Sequence, residues 1–141
     1  MKVIIVGSGR VGSSLANSLA SEGHEVTVVD RDARAMQRRI APDFAGARVV
    51  GNAMDADVLT RAGIRDADVL VTATEGDNRN IIIAQIARVK FNVPRVLARI
   101  VDPLRAQAYG ELGIEPVDQT TIMSEYMKYT VLSEPHEDAE E

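Results

Sequence analysis

The chain contains no cysteine and no tryptophan, only two histidines, and an aromatic content of 4% over 141 residues. Without cysteine there is no disulfide frame, no thiol nucleophile and no thiolate metal site. The scarcity of rings leaves Val, Ile, Leu and Ala to build the interior, a composition suited to a parallel sheet covered by helices on both faces. No uninterrupted apolar run approaches the length of about 18 residues that a membrane-crossing helix needs. The opening "MKVIIVG" is too short an apolar stretch for a secretory leader. These absences predict a soluble, cytoplasmic chain with no direct membrane insertion.

What remains is an ordinary globular balance, 45% hydrophobic and 26% charged. A domain of this length buries roughly 68–70% of its unfolded surface, so one core is expected. The net charge of −5 comes partly from the end segment "EPHEDAEE" (134–141), which is expected to be an acidic disordered tail. The acidic balance argues against a nucleic-acid partner.

Strand-length apolar runs alternate with longer segments of helical period: "KVIIV" (2–6), "EVTVVD" (25–30), "RVV" (48–50), "DVLVTA" (68–73) and "RVLARI" (95–100), with a weaker sixth near Pro116–Val117. Helices are expected from Val11, Asp32, Asp55, Asp77 and Asp102, the aspartates placed as first-turn caps. Strand and helix alternating without hairpin signals implies parallel pairing through right-handed crossovers. The expected architecture is α/β, a Rossmann-like doubly wound parallel sheet of about six strands in a single domain (1–133). A helix over about 78–91 carries Ile81, Ile82, Ile83, Ala84, Ile86, Ala87, Val89 and Phe91 around most of its circumference, more than one sheet can cover, so flanking helices or a second subunit must bury the rest. A last amphipathic helix, about 120–132, either folds back onto the sheet or crosses to a partner subunit.

Gly7-Ser8-Gly9-Arg10-Val11-Gly12 fits G-x-G-x-x-G between a strand and a helix. Gly7 permits the tight turn, Gly9 lets the backbone approach a pyrophosphate, and Gly12 lets helix and strand lie close. Unpaired N–H groups of the first helical turn, with the positive end of the helix dipole behind them, suit an anion. Asp30 ends the second strand 18 residues after Gly12 and can accept the hydroxyls of an adenosine ribose. Its charge argues against a 2′-phosphate, with Arg31 and Arg34 the features that would favour one. Arg10 has the planar fork that closes over phosphates. Asn52 and Ala53, after the third strand, are placed to read an adenine edge, and Thr74 and Glu75, after the fourth, to face the second half of a ligand. Asp77 reads as a helix cap. Arg99 ends the fifth strand aimed either at the cleft or at a buried carboxylate. The candidate binding set is therefore Gly7, Ser8, Gly9, Arg10, Val11, Gly12, Asp30, Arg31, Asn52, Ala53, Thr74, Glu75 and Arg99. No catalytic or metal-ligating residue is expected. A hydride-transfer site needs a proton relay beside the cofactor, but His24 falls at the opposite edge of the sheet, His136 lies in the tail, and no Tyr has a Lys four residues on.

Four blocks, "GSGRVGSSLANSLASEGHEVTVVD", "GNAMDADVLTRAGIRDADVLVTAT", "DNRNIIIAQIARVKFNVPRVLARIVDP" and "LGIEPV", occur in order over residues 1–125. With them the sequence resembles the RCK/KTN (TrkA-N) nucleotide-binding domain of Trk and Ktr potassium-uptake regulators. The resemblance implies a cytoplasmic, peripheral gating subunit that binds NAD(H) or ATP/ADP and passes that occupancy to a membrane potassium channel. It further implies that Gly7, Gly9 and Gly12 cradle phosphates, that Arg10 reaches them, that Asp30 holds ribose and that Asn52-Ala53 lies by the adenine. Homodimers would pair through helices like 78–91 and the crossover helix, and build higher rings. Relatives usually continue into a second small domain, and metal-using ones carry a carboxylate where this chain has Thr120-Thr121. The alternatives are a small NAD-dependent oxidoreductase, a redox-sensing DNA-binding regulator, and a nucleotide-sensing module of another transporter.

Overall fold

Val3, Ile4, Ile5 and Val6 are all buried, and because successive strand side chains point to opposite faces this one segment feeds two cores. It forms β1 (Lys2–Val6), the centre of the sheet in a computed structural model that describes residues 1–135. With β2 (Glu25–Asp30), β3 (Ala47–Val50), β4 (Val69–Thr72), β5 (Arg95–Ile100) and β6 (Glu115–Asp118) it makes one sheet in the order β3-β2-β1-β4-β5-β6. Every pairing is parallel. The expected six-stranded, doubly wound α/β sheet is observed.

Six α-helices connect and follow the strands: α1 (Arg10–Ser21), α2 (Ala33–Arg39), α3 (Ala56–Arg61), α4 (Asp77–Gln85), α5 (Pro103–Gly110) and α6 (Gln119–Leu132). On one face Val3, Ile5, Val26 and Val28 pack with Ala16 of α1 and Met36 of α2. On the other, Ile4, Val6, Leu70, Val96 and Ala98 pack with Leu59 of α3, Ile81, Ile83 and Ala84 of α4, and Ala106 of α5. The sheet order reverses between β1 and β4, and a crevice opens at their carboxyl ends, where such sheets bind ligands.

Three helices, those after Asp32, Asp55 and Asp102, start as the sequence leads one to expect, and α6 starts in the same way at Asp118, a cap the sequence reading did not single out. Asp32, Asp55, Asp102 and Asp118 each accept a backbone N–H from the first turn they precede. The expected cap at Asp77 is corrected, because the N-cap of α4 is Gly76, with no side-chain hydrogen bond. The Asp77 carboxylate turns away instead and accepts the N–H groups of Val101 (2.9 Å) and Asp102 (3.0 Å), fastening α4 to the loop after β5. The helix expected over 78–91 is α-helical only to Gln85 and widens into a π turn over Ile86–Lys90. That turn brings the Val93 N–H to the Ala87 carbonyl (3.1 Å) and the Arg88 guanidinium to the Val93 carbonyl (3.1 Å), and Asn92 closes it at a φ of 52°.

The excess apolar surface of this segment is real: Ile81, Ile83, Ala84 and Ala87 are buried, whereas Ile82 and Val89 are exposed. α6 does not fold back onto the sheet, and none of its residues is buried. Of the expected tail, 136–141 and with it His136 lie outside the described residues.

Candidate functional site

The turn from β1 into α1 requires glycine at two of its three glycine positions, and the third leaves the backbone open. Gly7 sits at a φ of 103°, where a side chain is strained, and an added Cβ would also lie 2.9 Å from the Ala73 carbonyl oxygen. At Gly12 a Cβ would come within 1.9 Å of the Gly7 carbonyl oxygen, so only glycine lets α1 enter so close to β1. At Gly9 nothing lies within 4 Å of such a Cβ. This is the point where the backbone is bare toward the crevice. Gly9 is the N-cap of α1 and no side chain caps the helix, so its first-turn N–H groups remain available to an anion, reinforced by the helix dipole.

Asp30, at the end of β2, faces this turn. Its Oδ2 accepts both the backbone N–H and the hydroxyl of the buried Ser8, each at 2.7 Å, and its Oδ1 accepts the Asp32 N–H at 2.8 Å. Burial pushes the Asp30 carboxyl up, but the Asp32 N–H, the two Ser8 donors and the Arg31 charge together outweigh it and hold the group below its ordinary value. Asp30 is therefore anionic at neutral pH, and the glycine loop fixes it in place.

The crevice has a volume of about 970 Å³, at the upper end of the ~300–1,000 Å³ common for small-molecule sites. All the candidate residues line it except Ser8 and Gly12, which stand behind the loop. Asn52 also shapes its own loop, since its side-chain oxygen accepts the Met54 N–H (3.0 Å). Arg99 lines the crevice, and its Nε donates to the Gln119 side-chain oxygen rather than to a buried carboxylate. Arg34, Arg38, Arg39 and Arg79 line it as well. The open Gly9 amide, the uncapped helix and the fixed carboxylate fit the phosphate and ribose ends of a nucleotide.

His24 stands at the opposite edge of the sheet, its Nδ1 3.2 Å from the Met1 backbone nitrogen. No His, Lys or Tyr of the described residues lines the crevice. Among the described residues no group of three or more His, Asp or Glu side chains converges as a metal site, and no helix is long and apolar enough to cross a membrane.

The model of the TrkA-N domain matches residues 3–120. The chain belongs to the TrkA-N domain family. Of named relatives, the Trk system potassium uptake protein TrkA of Streptomyces coelicolor is 48% identical over 117 residues, which cover 83% of this chain and 52% of that protein. The chain thus spans about half the length of this relative. Among solved structures, a Kef CTD of Shewanella denitrificans in its AMP-bound form aligns with a TM-score of 0.78 at 25% identity, covering 95% of this chain and 83% of that one. The TrkA-N domain of the Escherichia coli inner membrane protein ybaL aligns with a TM-score of 0.82 at 21% identity, covering 94% and 96%, and shows likeness of fold alone.

Two residues of this TrkA-N domain do more than their local sequence reveals. Asn80 is buried, and its side-chain oxygen accepts from the Thr72 hydroxyl, the Thr74 N–H and the Thr74 hydroxyl, while its amide donates to the carbonyls of Thr74 and Arg99. It thereby joins the end of β4, the loop after it and the end of β5 into one wall of the crevice. Ser8 reads as a loop filler but is the residue that orients Asp30. A polar residue one turn into an apolar helix is the only sequence signal for Asn80, and Ser8 has none.

Proposed function

We propose that the chain is the nucleotide-binding unit of a regulatory subunit of a Trk-type potassium-uptake system, one that holds an adenine nucleotide, NAD(H) or ATP/ADP, and does not transform it. The observation that carries this reading is the junction of bare amides at Gly9 and α1 with the fixed carboxylate of Asp30, at the point where the sheet order reverses. Phosphates fit the first and a ribose the second. The potassium connection comes from the printed name of the relatives of which this chain covers part. The reading as a binder rather than an oxidoreductase is supported by a crevice wall whose titratable members are arginines and carboxylates, with no proton-relay His, Lys or Tyr.

A switch also needs something to act on. Tyr126, Met127, Tyr129 and Val131 of α6 are exposed, and an apolar hollow of about 440 Å³ bordered by Ile86, Val89, Leu112 and Ile114 lies at the π turn. Both support a homodimer or ring covered by further copies; in this reading, by way of the relatives' name, that assembly is seated in the cytoplasm on a membrane channel subunit. The nucleotide acts only through its different affinity for two arrangements of that assembly.

Mass spectrometry of the nucleotide that copurifies, followed by X-ray scattering of the chain with NAD, NADH, ADP and ATP, tests the reading. Scattering profiles that differ between nucleotides support it. Identical profiles with and without all four would overturn it.

A further inference from the structure

Seven arginines line the crevice, and among the described residues the guanidinium groups of six of them, Arg10, Arg31, Arg34, Arg38, Arg39 and Arg79, have no partner within the protein. Arg99 is the exception. Asn80 holds its main chain, donating to the Arg99 carbonyl at 2.9 Å, and Gln119 holds its side chain, accepting from the Arg99 Nε. A guanidinium group carries only donors, so the oxygen of the Gln119 amide and not its nitrogen must face Arg99.

Gln119 reaches Arg99 through strand register. Arg99 pairs with Val117 where β5 meets β6, and Gln119 stands two residues beyond Val117, as the first residue of α6. It does not itself line the crevice. Its neighbours are tied down as well: Thr120 donates its hydroxyl to the Val101 carbonyl (2.6 Å), and Thr121 donates its N–H and its hydroxyl to Asp118. The first turn of α6 is therefore pinned to the ends of β5 and β6, although no residue of the helix is buried.

This arrangement acts on both the freedom and the charge of Arg99. With Nε–H given to Gln119, the N–H donors of the two terminal nitrogens remain without a protein partner, on a side chain that lines the crevice. A guanidinium ordered in advance avoids the loss of rotamer freedom that a mobile arginine incurs when it meets a ligand. Gln119 is also neutral. A carboxylate in its place would form an ion pair and spend the positive charge inside the protein, whereas an amide oxygen holds the group and leaves its charge for an anion.

We propose that Gln119 is a positioning residue that acts through Arg99, holding that guanidinium ready for a phosphate of the bound nucleotide while leaving its charge intact. The inference rests on the nucleotide reading above and adds to it a residue from outside the crevice.

Calorimetric titration of the whole chain with ADP and with ATP tests it, in the parent, Gln119→Leu, Gln119→Glu, Arg99→Gln and the double variant of Arg99→Gln with Gln119→Leu. Gln119→Leu weakens the tighter of the two ligands about fivefold, the size expected when one long side chain has to be ordered on binding. Gln119→Glu keeps an acceptor for Nε but neutralises the guanidinium, and weakens binding at least as much. Because it preserves the start of α6, it keeps the test readable where Gln119→Leu lowers the melting midpoint. In the Arg99→Gln background, Gln119→Leu changes affinity by less than about twofold, since the group it acts through is gone. A merely structural role for Gln119 would weaken binding equally with and without Arg99. Parental affinity in Gln119→Leu, tighter binding by Gln119→Glu, or a loss that persists in full in the Arg99→Gln background overturns the proposal and leaves the nucleotide reading standing. No binding of either ligand by the parent overturns both.

Discussion

α1 and α6 are opposites. α1 starts with no cap at Gly9, yet its body is anchored through Gly12, Ser13 and Ala16, all buried. α6 starts with Asp118 accepting both the N–H (3.0 Å) and the hydroxyl (2.7 Å) of Thr121, yet no residue along its length is buried. One helix is incomplete at its end and the other along its side. An open end offers a few aligned amides and a partial charge, which a small anion can satisfy. An open side offers apolar area, which only another protein surface can cover. α4 shares both traits: Gly76 leaves it uncapped beside the crevice, and Ile82, together with Val89 of the π turn that continues it, leaves its flank exposed. It is the element best placed to connect ligand and partner.

The largest effect expected from breaking this arrangement is at Asn80, which holds the crevice wall between β4 and β5. Asn80→Ala removes five hydrogen bonds and leaves the buried Thr72 hydroxyl without its acceptor. A loss of about 3 kcal/mol follows, a drop in melting midpoint of roughly 10 °C for a chain of this size. A variant that melts within about 2 °C of the parent would contradict the role given to the network.

Next is the close approach behind the glycine loop. Gly12→Ala forces a methyl group against the Gly7 carbonyl, costing about 1–3 kcal/mol by overpacking. It also pushes the first turn of α1 away from the crevice, so chemical denaturation and nucleotide titration should both register it. Unchanged stability would mean that the helix entry is looser than its geometry indicates.

Asp30 sharpens the comparison through pH. Its folded pKa is lowered, so the stability it contributes is fully present above the ordinary value of 3.8 and is lost as pH falls through the lower folded value. Asp30→Asn should flatten that part of the acid-unfolding curve and weaken binding of adenosine-containing ligands. An acid limb of equal slope in both proteins would refute the assignment.

The smallest effect on stability is expected at α6. Tyr126→Glu with Met127→Glu places charge on a helix that covers nothing within its own chain, so the monomer should keep its stability within about 0.5 kcal/mol. Its sedimentation should shift toward the monomer. A large loss of monomer stability would show that α6 packs on its own sheet after all.

The features legible in the sequence are those whose signal is local. Strand and helix periods, the Asp caps at Asp32, Asp55 and Asp102, the glycine loop and the Asp30 that ends β2 each sit within a few residues of what defines them. What was hidden depends on distant pairing. Asp77 looks like a fourth cap until residues 24 and 25 positions further on supply the N–H groups it prefers. Ser8 meets Asp30 only because β2 lies beside β1. The unpaired arginines come from α1, α2, α4 and the turn after β2, and no window of sequence contains them all.

The central claim is that the bare start of α1 holds the phosphates of an adenine nucleotide. Calorimetric titration of ADP into the parent chain and into Gly9→Val tests it most directly, because a side chain at Gly9 projects into open space and spares the fold. The account predicts binding by the parent and none by the variant, with melting midpoints that agree. Equal affinity in the two, or no binding by the parent, would contradict it.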